Sequence, residues 1–311
     1  MVRKALLGQL SDLDIRLLRV FRSVVECGGM AAAELELNIG RSTISRHVKD
    51  LETRLGLTLC HRGRGGFSLT AEGQEIYAAT LRLVAALDDF RAGVDDLHQR
   101  LTGTLTLALF DKTVTNDQAQ LHAALRLFTD LTPAVAVEIH VQALNTIERG
   151  ILDGQYQVGI VPVHRASTAL DYLGLFTERM DLYCGPDHPL FGRPGHDGDD
   201  DAIRRQNYAG LGYHSPNMEI SHAMRLRRRA TVNDQEAVAT LVRSGRYVGF
   251  LPDHYARQFV DQGQMRRLDN PRFRYTVQFA AIVRHAPKPS RLVQTFLDCL
   301  RQAHGLAAEG G

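Results

Sequence analysis

Long uncharged stretches are missing from this 311-residue chain, and that removes one class at once. A helix crossing a bilayer needs roughly 18–20 apolar residues in a row, and no run approaches that length. The basic start of the chain meets Asp12, Asp14 and Arg16 before a secretory apolar core can form, so a cytoplasmic location is expected. Cysteine is scarce. Cys27, Cys60, Cys184 and Cys299 lie too far apart for a disulfide framework or a metal-ligand cluster. They are expected to be reduced and mostly buried as small hydrophobes, with a redox-sensing thiol as the alternative. With only 10 prolines and 27 glycines, collagen-like and low-complexity classes are excluded. A surplus of one charge is also missing: 37 Lys and Arg face 35 Asp and Glu.

What remains is an ordinary globular composition, 44% hydrophobic and 23% charged. The chain is about twice the usual domain length of roughly 150 residues, which implies two or three folding units. The charges, although balanced, are not evenly spread. Between Arg41 and Arg64 six basic residues face two acids, Asp50 and Glu52, whereas residues 71–100 are mainly acidic. A short basic island suits a phosphate backbone; it would serve equally as a solvated helix face.

Helical periodicity narrows the choice. Ser11 and Asp14 form a capping-box signal ahead of Leu13, Leu17, Val20, Phe21 and Val24, and Gly28 and Gly29 end that helix. A short Ala-rich helix over residues 31–37 follows, then a turn at Asn38, Ile39 and Gly40, then a helix from Arg41. This is the helix-turn-helix pattern. At about 100° per residue, Ile44, Val48, Leu51 and Leu55 share one core-facing arc. Ser42, Ser45, Arg46 and Lys49 fall opposite, with Arg41 and Thr43 in the first turn. Such a stripe can enter a major groove, read base edges and hold phosphates, or simply keep a surface helix soluble. Two short apolar segments then flank a tip containing Arg62 and Arg64, a β-hairpin wing whose arginines can reach the DNA backbone or minor groove.

Over Phe21 to Gly73 the chain resembles the LysR-type transcriptional regulators, through Ser45-Arg46, Leu51-Glu52, Leu55-Gly56, Leu59, Arg62, Leu69-Thr70 and Gly73. It departs from the family pattern at Glu34, at Arg41-Ser42, at Cys60 and at Gly40, where a serine N-cap is frequent. These departures bear on which DNA sequence is read.

From Thr70 a long helix is expected to reach about residue 100. Ile76, Leu83, Phe90 and Leu97 recur every seven residues, as do Thr80, Leu87, Val94 and Leu101. The alternation implies a coiled-coil seam, with Ile76, Leu83, Leu87, Phe90, Val94 and Leu97 as its dimerisation residues. A single amphipathic helix lying on its own domain would give the same pattern. The resemblance favours the seam, because the family's linker helix pairs two subunits.

Beyond residue 103 the texture changes. Strand-like runs (105–110, 135–141, 158–161, 181–184, 247–251, 277–283) alternate with helical ones (117–131, 145–150, 234–244, 290–302), which indicates a mainly parallel α/β domain. Gln155 to Ile160, His188-Pro189-Leu190 and Gly249 to Pro252 extend the resemblance. It implies an effector domain with the fold of type 2 periplasmic binding proteins, two lobes joined by two crossing strands. Lobe one is expected at 103–170 and 276–304, lobe two at 171–275, and a flexible tail at 305–311.

Ligands of such sheets bind beyond the carboxyl ends of strands, near helix N-termini. The candidate effector contacts are therefore Lys112 and Thr113, Asn145 and Thr146, His214 and Ser215, and Asn233 and Asp234. An N-x-x-E capping box runs from Asn233 to Glu236, and Lys112 could pair with an acidic effector. Capping or turn formation would explain each of these residues equally well.

No phosphate loop, dinucleotide fingerprint, nucleophile elbow or metal spacing occurs, and His196 reads as a loop residue. No catalytic residue, cofactor or metal ligand is therefore assigned, and an enzyme is not expected. The expected architecture is a winged helix-turn-helix (1–73), a linker helix (74–102) and an effector domain (103–304). The expected function is sequence-specific transcriptional regulation in response to a small carboxylate or aromatic acid. Expected partners are double-stranded DNA, the effector, a second copy in a homodimer or homotetramer, and RNA polymerase. The alternative is a ligand-binding or DNA-architectural protein without a regulatory response.

Overall fold

The computed structural model describes residues 8–63, 66–98, 101–192 and 199–307. The chain divides into two compact units, with the boundary inside one helix, between Arg91 and Ala92.

The first unit begins with α1 (Asp12–Glu26), α2 (Ala33–Leu37) and α3 (Arg41–Leu55). The capping box holds as expected: Ser11 accepts from the Asp14 amide, and the Asp14 carboxylate accepts from the Ser11 N–H. Phe21, Val24, Ile44, Val48 and Leu51 are fully or almost fully buried together, so the periodic arcs of α1 and α3 are the two halves of one core. Gly56 ends α3 in the left-handed region at φ 69°, where a side chain would be strained. The hairpin follows as β1 (Cys60–Gly63) and β2 (Gly66–Leu69), paired antiparallel. The first strand starts at Cys60, after Leu57 and Leu59, because Leu59 is used as core.

Thr70 caps α4 (Ala71–Leu97), accepting from the Gly73 N–H at 2.9 Å. Gly73 is required by close approach: a Cβ there would lie 1.9 Å from the Leu59 carbonyl oxygen. No described helix is long and apolar enough to cross a membrane.

The second unit runs β3 (Gly103–Leu109), α5 (Leu121–Leu131), β4 (Val135–Val141), α6 (Leu144–Leu152), β5 (Val158–Pro162) and β6 (Leu170–Cys184). It continues α7 (Asp200–Arg204), β7 (Asn207–Leu211), α8 (Pro216–Ala223), β8 (Arg227–Val232), α9 (Gln235–Arg243) and β9 (Val248–Pro252). It ends α10 (Asp253–Asp261), β10 (Arg266–Arg267), β11 (Arg274–Arg284) and α11 (Arg291–Ala303). The sheet order is β4-β3-β5-β11-β6-β9-β7-β8, with β10 on β6. The long antiparallel pair β6 and β11 is common to both lobes: β5 adds at Gly159–Pro162 against β11, and β9 at Val248–Pro252 against β6. A register shift of β11 against β6 falls between Phe279 and Ala280, where β5 attaches.

Three differences from the sequence expectation have local causes. The helix expected over 117–131 breaks at Gln120, whose φ of 46° is left-handed, and α5 begins only at Leu121. Strand β8 is absent from the expectation because Arg227, Arg228 and Arg229 mask its alternation. It is an edge strand, where outward charge blocks pairing with other chains. The tail expected to be flexible from residue 305 begins as a helix cap: Gly305 is left-handed at φ 64°, and the Leu306 amide donates to the Arg301 carbonyl at 2.9 Å.

Candidate nucleic-acid interface and effector cleft

On α3, Arg41, Ser42, Arg46 and Lys49 are exposed, and Thr43 and Ser45 are half-buried at the margin of the stripe. The side chains of Arg41, Arg46 and Lys49 enter no ion pair among the described residues. Arg62 lies in β1, and Arg64, like His196, lies outside the described residues.

The stripe is braced from behind by residues that the stripe pattern alone does not single out. Arg54, in the last turn of α3, forms an ion pair with the fully buried Asp14 of α1. The Arg54 hydrogen bonds, followed by those from Ser11, hold the Asp14 carboxyl well below the usual carboxylate range. Glu52 accepts from the Leu59 amide at 2.9 Å and so ties α3 to the start of the wing. At the other end Gly40 offers no capping side chain, and the carboxylate of Glu34 in α2 accepts from the Arg41 amide instead. Two departures from the family pattern, Glu34 and Gly40, therefore compensate each other.

Along α4, Ile76 and Leu83 pack against the core of the first unit, and Leu87 is half-buried. Phe90, Val94 and Leu97 are exposed, at 73%, 39% and 85%. The exposed apolar side chains are thus those of the C-terminal half of the expected seam.

In the second unit the carboxyl ends of the strands bring lobe one against lobe two. Asp111, just after β3, accepts from the Gln235 amide at the start of α9 at 2.8 Å. Burial, opposed by that bond, raises the Asp111 carboxyl to about 6. Lys112 donates to Glu236 at 3.0 Å and lies over the Tyr255 ring. Thr115 meets His254 Nδ1 at 2.8 Å, and His254 Nε2 meets the buried Glu178 at 2.8 Å. Burial, partly offset by His254, pushes the Glu178 carboxyl up. The buried Tyr213 hydroxyl and Gln235 Oε1 have no hydrogen-bond partner among the described residues.

The sequence candidates divide accordingly. Lys112 faces the cleft but is already paired with Glu236, so an acidic ligand would have to displace that carboxylate. Thr113 is buried and donates to the Phe110 carbonyl. Asn145 and Thr146 are exposed at the start of α6. Ser215 caps α8. Asn233 is exposed, and the cap of α9 is Asp234, which accepts from the Ala237 amide at 2.8 Å; the expected Asn233–Glu236 box does not form because the cap lies one residue later and puts Ala237 at the third helical position, and Glu236 pairs with Lys112 instead.

His214 belongs to a second cross-lobe group, with His164 and Arg165 following β5 and Glu219 on α8. Burial lowers the His164 imidazole, keeping it neutral at pH 7. His164 and His254 both follow the C-terminal end of a strand, so the strand-end rule could have found them. Glu178, in mid-strand, carried no such signal.

The four cysteines form no disulfide among the described residues. Cys27, the most accessible, donates to Glu36; that bond, with burial, raises its thiol to about 11, the opposite of an activated thiolate.

Two family models match the chain: the bacterial regulatory helix-turn-helix protein of the lysR family over residues 15–74, and the LysR substrate binding domain over 98–305. The chain is 41% identical over 298 residues to the HTH-type transcriptional activator BauR of Pseudomonas aeruginosa, covering 96% of this chain and 98% of that one. It is 28% identical over 185 residues to an SDS degradation transcriptional activation protein of a Pseudomonas species, covering 59% and 60%. Among solved structures, CbnR complexed with its target DNA matches with a TM-score of 0.61 at 22% identity, covering 93% of this chain and 99% of that one. Full-length OxyR C199D from Pseudomonas aeruginosa matches with a TM-score of 0.61 at 16% identity, covering 98% and 100%. At those identities the structures speak for the fold. The named relatives are regulators, not enzymes. Both models match in the order and at the positions of the helix-turn-helix head and the two-lobed domain, and the chain belongs to the LysR family of bacterial transcriptional regulators.

Proposed function

We propose that this regulator acts in the cytoplasm as a one-component sensor, holding two winged heads on one DNA duplex and responding to a small molecule between its lobes. Arg41, Ser42, Thr43, Ser45, Arg46 and Lys49 face the major groove, with Arg46 reading a base edge and Lys49 holding a phosphate. Arg62 and Arg64 of the wing reach the adjoining backbone. The single observation that carries this function is the exposed cationic side of α3, without an ion pair among the described residues and braced by Arg54, Glu52 and Glu34.

Pairing through Phe90, Val94 and Leu97 would join two heads. Their recognition helices would then meet successive major grooves about 34 Å apart, or a multiple of that. The edge strand β4 carries exposed Val137, Ile139 and Val141, which supports a second association and hence a tetramer. RNA polymerase is a further partner where the protein activates.

The effector is proposed to be a small carboxylate, aliphatic or aromatic, whose oxygens exchange with Glu236 on Lys112. That exchange would release one of the bonds clasping the lobes. Because such a ligand binds the unclasped arrangement better, it shifts the population of lobe angles, and this is the allosteric signal.

The test is operator binding. Arg46→Ala should lose about 1–3 kcal/mol of specific affinity if the contact is bidentate. Unchanged binding in a gel-shift titration would remove the groove contact.

A further inference from the structure

We propose that His164, His214 and Glu219 form a binding site for a divalent transition metal of the zinc class, bridging the two lobes of the effector domain. Their potential ligand atoms all lie within 4.8 Å of one another. His164 follows β5 in lobe one; His214 and Glu219 belong to lobe two, after β7 and on α8. His164 Nε2 is 3.6 Å from Glu219 Oε1. A tetrahedral zinc with bonds of about 2.0–2.2 Å holds its ligand atoms roughly 3.3 Å apart, so this spacing needs only a small adjustment. His214 offers one ring nitrogen to the ion, Nδ1, which lies 2.5 Å from His164 Nε2 and must separate from it by about 0.8 Å to admit the ion between them. His214 is 47% exposed on its side chain and can make that movement, while His164, 8% exposed, supplies the fixed ligand.

The donor set decides the class of ion. Two imidazoles and one carboxylate suit zinc, nickel or copper rather than magnesium or calcium, which prefer all-oxygen shells. Three protein ligands also leave a fourth position open, as in zinc sites that bind water or an exogenous oxygen. The positive charge now among these groups is the Arg165 guanidinium, 2.9 Å from His214 Nε2 and 3.9 Å from Glu219. Arg165 is 70% exposed on a flexible stem, so an arriving cation can replace it without disturbing the core. Metal bound here would tie lobe to lobe and favour the clasped arrangement by mass action. The site depends only on the apposition of the lobes. It does not depend on the DNA contacts or on carboxylate exchange at Lys112, so either can fail without the other.

The experiment is zinc competition between the full-length protein and a chromophoric chelator, repeated with Co(II) to record its visible ligand-field bands. One ion per chain is expected. His214→Gln and Glu219→Gln, both at exposed positions, should weaken it by at least the roughly ten- to hundredfold that loss of even an outer partner costs. They should also abolish the cobalt bands, while Arg165→Gln should retain or tighten binding. Unchanged stoichiometry and affinity in both His214→Gln and Glu219→Gln would overturn the site. So would several weak, variant-insensitive zinc ions per chain, or loss of binding in Arg165→Gln alone.

Discussion

Replacing Lys49 with alanine removes one exposed cation from the third turn of the recognition helix and disturbs little else, because its side chain has no ion pair among the described residues. With Arg46 assigned to a base edge, Arg41 and Lys49 are the two α3 cations on each head left for phosphates, so a dimer presents four. Each neutralised phosphate contributes about −0.9 to the slope of log K against log salt, which gives roughly −3.6 for the dimer from α3 alone. Between about 50 and 200 mM salt that slope costs on the order of a hundredfold in affinity. Lys49→Ala removes two contacts per dimer, so the slope should flatten by about 1.8 and the same salt step should cost roughly tenfold less. Fluorescence anisotropy of a labelled operator duplex titrated at four or five KCl concentrations reads this directly. Arg46→Ala, assigned to a base, should instead reduce discrimination between operator and random duplex. A Lys49→Ala slope within about 0.5 of wild type would refute the docking of α3 along the phosphates.

Glu34→Ala should lower the stability of the N-terminal unit by about 0.5–2 kcal/mol through the lost cap, and Gly40→Ser on that background should recover it. A thermal melt in which the serine gives no rescue would detach Glu34 from a capping role; a Cβ at Gly40 meets only open space. Asp111 keeps its proton to about pH 6 when folded but releases it near 4 when unfolded, so its contribution is full below about pH 4 and is lost as pH rises through 6. A rise of that size corresponds to on the order of 2–3 kcal/mol, so Asp111→Asn should flatten the pH dependence of effector-domain melting between about pH 4 and 7. An unaltered profile would count against it. Phe90→Asp with Leu97→Asp removes burial worth about 2–3 kcal/mol per side chain from the proposed seam. Light scattering should then report smaller assemblies, and an unchanged mass would move the dimer contact elsewhere.

The head was legible because its function and its fold use the same periodicity. Ile44, Val48 and Leu51 had to be buried, which left Arg46 and Lys49 outside whatever the rest of the chain did. The capping box at Ser11 and Asp14, the cap at Thr70 and the α/β alternation after residue 103 are equally local signals. The braces were not legible as braces: Asp14 and Arg54 lie 40 residues apart, and nothing in either segment names the other.

The cleft shows the limit more sharply. The rule that ligands gather beyond strand ends selected Lys112 and His214, because it needs only strand positions. It could not tell that Lys112 is met by Glu236, that Asp234 rather than Asn233 caps α9, or that His164 and Glu219 converge on His214. Those facts depend on how β6 and β11 carry one lobe across to the other, a matter of long-range packing that no spacing in the chain encodes. Neighbouring residues alone set which faces are apolar and which turns are tight, since backbone sterics and burial act within a few positions. Which charges find one another was left to the folded arrangement, because Coulomb forces and hydrogen bonds depend on distances through space.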